Sequence, residues 1–170
     1  MRAQLPATLP GPPALLQHEH LRIVLLAVTM IKAISTLGDA AGLFGGIDGM
    51  AALTVLALAL DPLCAIAAFI LTLQGRLSGA ICALAAIIVL NWFSDMVPVV
   101  LHGFDTAGSL SLTLVMELQI VGYPLIAACA IALALRAERL IAATILVILP
   151  MVVSAGSLVA FAIGVAIYRF

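Results

Sequence analysis

Four ionisable side chains stand inside long apolar runs of the chain: Lys32, Asp61, Asp95 and Glu117. A fifth, Asp39, lies near the end of the first run. An unpaired charge at the centre of a bilayer is unfavourable by at least about 2.5–3.5 kcal/mol, so such residues are expected to face one another or water. Helical spacing groups them with polar neighbours. In the first run Thr29, Lys32, Ser35, Thr36 and Asp39 recur at three- and four-residue steps, and in the third Asn91, Ser94, Asp95, Pro98 and His102 do the same. The second run carries a small-and-polar stripe of Thr54, Asp61, Ala65, Ala68 and Thr72. The fifth carries Pro150, Ser154, Ser157, Phe161, Gly164 and Tyr168. In the fourth, Glu117 and Gln119 point to different sides. Helices in lipid meet through small and hydroxyl-bearing residues, so these stripes also predict the packed faces.

Depth suggests what the ions do. A helix rises about 1.5 Å per residue, which puts Lys32 roughly 15 Å from the inner side of its span. Asp61 and Asn91 come to roughly 20 Å from that side, so the three form a central polar layer. Asp95 and Glu117 fall roughly 9–12 Å below the outer surface on neighbouring helices, and Asp39 joins that outer acidic layer. The expected site is a polar cavity open to the outside, acidic at its mouth, with a Lys32–Asp61 pair at its floor. Two carboxyls held close can share one proton, which suits a proton carrier. Three acidic groups can instead hold a hard divalent cation through oxygen ligands, so the metal is left open. His102, on the face of Asp95 and seven residues on, is placed to relay protons. Each feature also has a plainer role. A Lys–Asp pair can tie two helices together, and acids near a boundary can reach headgroups. Trp92 and Phe93 can simply pack, Pro62, Pro98, Pro124 and Pro150 can kink helices, and His18-Glu19-His20 can be a solvated segment.

The elements that must hold these residues follow from composition. The chain has 170 residues, 65% hydrophobic and 9% charged, with net charge −1, and its mean hydropathy is +1.33. Soluble domains run at about 45–50% apolar and about 25% charged. A soluble domain, a disordered tail, a disulfide-stapled module and a nucleic-acid binder are therefore excluded. Cys64, Cys82 and Cys129 are odd in number, form no CxxC and lie in apolar runs, which argues against a disulfide framework or zinc. The fold class is all-α: a polytopic membrane protein with five transmembrane helices in one bundle. Residues 1–20 read as a short cytoplasmic Pro-rich tail, extended where the prolines cluster, and 21–170 as a single membrane domain. The spans cover about 22–44, 49–74, 77–101, 109–135 and 140–168, since crossing a bilayer takes about 20 apolar residues. Short breaks between them make successive helices antiparallel. Met1 to Gln17 lack the apolar core of a signal peptide, so the first span is expected to serve as an uncleaved insertion signal. With the N-terminus inside, Arg2, Arg22, Arg76, Arg136 and Arg139 lie on the cytoplasmic side and Arg169 outside, giving N-in, C-out.

Familiar catalytic signatures are missing. The chain contains no GxGxxG, GxxxxGK[ST], GxSxG or HExxH. Its three histidines, at a tail and a loop edge, do not suit axial haem ligation, so no cofactor is expected. The leading expectation is proton- or cation-linked transport or binding of a small solute, in an inner (plasma) membrane. The partners are the lipid bilayer and either further copies of the chain or a larger membrane complex. A second reading is an accessory or scaffold subunit of an energy-transducing assembly. A third is a membrane-embedded enzyme acting on a lipid or quinone, with Asp95 and Glu117 as acid and base.

Overall fold

The computed structural model describes the backbone of residues 12–41, 52–102, 110–136 and 139–168, most side chains within 18–38, 55–96, 119–136 and 139–153, and a few beyond these, Val100 among them. Five helices follow one another: α1 (Pro12–Ala41), α2 (Ala52–Leu73), α3 (Leu77–His102), α4 (Leu110–Leu135) and α5 (Leu140–Tyr168). Among the described residues there is no strand. The apolar runs and their breaks set these limits to within about three residues. The start of α1 differs. It begins at Pro12, inside the stretch expected to be an extended tail. Proline is tolerated in the first turn of a helix, where its missing N–H has no intrahelical partner to lose, so Pro12 and Pro13 open the helix instead of blocking it. His18, Glu19 and His20 are consequently helical, and all three are exposed.

The helices pack in chain order, α1 on α2, α2 on α3, α3 on α4 and α4 on α5, and α3 also touches α1 and α5. As the helix every other one contacts, α3 is the most enclosed: Leu77, Ala80, Ile81, Leu84, Ala85, Ile87 and Ile88 are all buried along its first half. The expected stripe on α2 is the packed one, with Asp61, Ala65, Ala68 and Thr72 buried. On α5 the stripe extends backwards from Pro150 through Val147 to Ala143, all buried. On α1 the packed line is Leu25, Thr29 and Thr36, whereas Ser35 is exposed.

Residue size is distributed in an unusual way. Much of the seam is small: Ala65, Ala68, Ala80, Ala85, Ala127, Ala130, Ala134 and Ala143 are wholly enclosed, interleaved with buried Leu25, Ile81 and Val147. Large branched side chains point outward on every helix, among them Ile31, Leu63, Val100, Val121 and Ile145, each at least 60% exposed. Two segments among the described residues, His18–Gly38 and Leu77–Met96, are long and apolar enough to cross a membrane, and only 22% and 39% of them is buried. The shorter apolar stretches Leu58–Leu73, Gln119–Leu135 and Leu140–Val153 lie in the other three helices.

Candidate functional site

The Arg22–Leu73 and Trp92–Ile120 hydrogen bonds, together with one tight turn, help fix how the helices stand against each other. The turn joins α2 to α3. Gly75 adopts φ +75°, Gly75 N–H donates to the Thr72 carbonyl and Arg76 N–H to the Leu71 carbonyl. That pair of bonds around a left-handed glycine is a Schellman C-cap. It leaves the Leu73 carbonyl over, and the Arg22 guanidinium of α1 donates to it at 2.7 Å. A cation is favoured there in any case, since a helix C-terminus carries partial negative charge. Just beyond the turn α2 and α3 run close together: a Cβ placed on Gly79 would lie 3.3 Å from the Leu71 side chain.

The second bond lies between α3 and α4. Pro124 has no N–H, so the carbonyl four residues earlier, that of Ile120, lacks its helical donor. The Trp92 indole Nε1–H donates to that carbonyl at 2.7 Å. Phe93 packs edge-on against the indole with ring centroids 4.9 Å apart.

Heights of the candidate residues follow by counting along the helices. From the Arg22–Leu73 bond, Lys32 is ten residues along α1 and Asp61 twelve back along α2, so their levels differ by about 3 Å. From the Gly79–Leu71 approach, Asn91 is twelve residues on and Asp61 ten back, again about 3 Å apart in height. From the Trp92–Ile120 bond, Asp95 is three residues on and Glu117 three back, so both stand about 4.5 Å beyond it, at one level.

Surroundings differ. Asp61 is buried and has an interaction of its own. Lys32 and Asn91 are half-buried, and Asp95 is exposed. Asp39, Glu117 and His102 belong to α1, α4 and α3, but their side chains lie outside the described residues. Among the described residues no three His, Cys, Asp or Glu side chains come together as a metal would require.

The buried threonines satisfy themselves. Thr29, Thr36, Thr72 and Thr144 each donate to the carbonyl four residues earlier, at 2.7–2.9 Å. Such back-bonding removes the penalty of burying a hydroxyl and frees it from needing a partner on another helix. These residues are seam, and the candidate ligand groups reduce to the ions and Asn91. Sequence reasoning undervalued Arg22, counted there only as a charge, and Trp92, read as packing. The available signal was proline: counting four residues back from Pro124 marks a carbonyl in need of a donor. No family model, curated protein or solved structure matches the chain.

Proposed function

We propose that this chain is a five-span protein of an inner (plasma) membrane, N-terminus inside and C-terminus outside, that binds or moves a small solute linked to a proton or cation. The outward side chains support the membrane: every helix exposes large apolar residues that a water-soluble protein tends to shelter, and the enclosed alanines suit helices that meet in lipid through small residues. At 22, 26 and 29 residues, α2, α4 and α5 are about 33, 39 and 44 Å long, more than the hydrocarbon core of about 30 Å. Arg22, Arg76, Arg136 and Arg139 all fall at one end of the antiparallel bundle and are exposed, as the positive-inside rule expects of a cytoplasmic end.

The observation that carries the solute site is a stair of heights: Asp61 stands within about 3 Å in height of both Lys32 below it and Asn91 above it, and Asp95 and Glu117 share a level nearer the outer end. In this reading Asp39 completes the outer acidic layer. His102, seven residues beyond Asp95, passes protons between that layer and the outside. Protonation or cation capture there alters the charge facing the Lys32–Asp61 layer, and helices hinged at Pro62, Pro124 and Pro150 shift in response. The test is proton- and cation-driven flux in liposomes carrying the wild-type chain, Asp61→Asn or Glu117→Gln. Loss of coupled flux in both variants is expected, and flux equal to wild type in both overturns the mechanism.

Asp95 favours a second reading. A carboxylate exposed on a lipid-spanning helix calls for a polar partner, because a charge facing hydrocarbon is strongly unfavourable. In that reading the chain is one subunit of a larger membrane assembly, or of its own oligomer, and another helix covers Asp95. Extraction from native membranes in mild detergent separates the cases: co-migration with other proteins supports the accessory-subunit form, and a lone homo-oligomer counts against it.

A further inference from the structure

We propose that Trp92 is a latch on the Pro124 hinge: its indole N–H closes the gap that proline opens in α4, and release of that one bond lets the outer part of α4, which carries Glu117, move against α3. A proline inside a helix leaves a carbonyl bare and a joint that can bend. In apolar surroundings that carbonyl must find another donor, from a hydroxyl on its own helix, a water or a neighbouring helix. Here the donor is an indole on α3, at 2.7 Å from the Ile120 oxygen. Indole is a donor only, so the bond cannot reverse, and Ile120 and Trp92 are both half-buried. The bond lies between Glu117, one turn before Ile120, and Pro124, one turn after it. Whatever loosens the indole therefore loosens the segment that bears the carboxyl.

The inference deepens the proposed transport reading by naming what sets the outer acidic level, and it rests on that reading only for the use made of the motion. Its decisive feature is a rescue. Pro124→Ala restores the N–H that Ile120 lacks, so the indole becomes redundant. If Trp92 merely fills space, Pro124→Ala leaves the effect of losing the indole unchanged.

The experiment is a double-mutant cycle on the full-length chain in detergent and in liposomes, comparing wild type, Trp92→Phe, Pro124→Ala and the double variant. Trp92→Phe is expected to lower the thermal midpoint by roughly 3–8 °C, and to speed amide hydrogen exchange over the outer half of α4, residues 110–120. In the Pro124→Ala background the same change should lose less than half as much in midpoint and leave exchange near its Pro124→Ala rate. Equal losses in both backgrounds overturn the latch. If Trp92→Phe alone does not accumulate folded, recovery in the double variant supports the proposal and failure of both overturns it. None of these readouts involves flux. A latch without coupled flux would sink the transport reading alone, and flux that depends on Asp61 and Glu117 without a rescue would sink the latch alone.

Discussion

At the scale of single residues, the donors and acceptors that proline and glycine leave over shape this structure most. Gly75 holds φ +75° at the α2–α3 turn, a conformation that any side chain with a Cβ adopts at a loss of about 1–2 kcal/mol. Gly75→Ala is expected to lower unfolding stability by about 1 kcal/mol, and Gly75→Asn by less, because asparagine tolerates the left-handed region better. Equal losses in a denaturation series would remove the left-handed cap as the reason for glycine there. Legibility at this scale divides by range. Pro124 and the carbonyl it exposes are local and can be counted off the sequence. That the missing donor is Trp92, 28 residues earlier in the chain, depends on the height at which α3 meets α4, and no local pattern states it. The same holds for Arg22 and Leu73, 51 residues apart.

At the scale of elements the sequence is far more explicit. Uninterrupted apolar runs bounded by glycine, arginine and polar breaks leave little freedom over where α2 to α5 begin and end. The small-residue stripe of α2 marks its contact face directly; of the stripe expected on α5, Pro150 is buried and the side chains of Ser154, Ser157, Phe161, Gly164 and Tyr168 lie outside the described residues. The reading fell short at α1. Clustered prolines favour extended backbone, but in the first turn of a helix their position matters more. Rise per residue gives the order of the candidate site residues along the bundle. It does not give the neighbours of each charge, because they depend on helix rotation and on side chains that reach several ångströms. The seams carry a prediction of their own. Ala130→Leu, at a fully enclosed position of α4, forces two helices apart and is expected to destabilise by about 1–3 kcal/mol. Ile145→Ala, 60% exposed on α5, removes as many carbons as Ala130→Leu adds, yet should change stability in detergent or lipid by less than about 0.5 kcal/mol, since the surrounding chains take up its place. Unfolding midpoints of the two variants, compared side by side, decide this, and the opposite order would refute the small-seam description.

At the scale of the whole molecule, the even placement of the connections matters. Arg22 of α1, the α2–α3 turn and the α4–α5 turn share one end, so four exposed arginines lie there, and the acids Asp39, Asp95 and Glu117 lie towards the other. A cysteine at Gln74 and one at Asp105, introduced after the native cysteines are replaced by alanine, should react from opposite sides of intact cells with a thiol reagent that does not cross membranes. Asp105→Cys should be labelled from outside and Gln74→Cys only after permeabilisation. Labelling of both from one side would rule out the antiparallel five-span arrangement.

The enclosed alanines also foretell how the chain diverges. Where an alanine is wholly enclosed, drift has almost nowhere to go, while an outward isoleucine can become leucine, valine or phenylalanine without disturbing a neighbour. Aligned descendants of this chain should therefore hold positions 65, 68, 127, 130, 134 and 143 nearly fixed as small residues and let their bulky outer ones wander. Substitution rates that instead peak along the alanine lines would mean that the helices do not meet there.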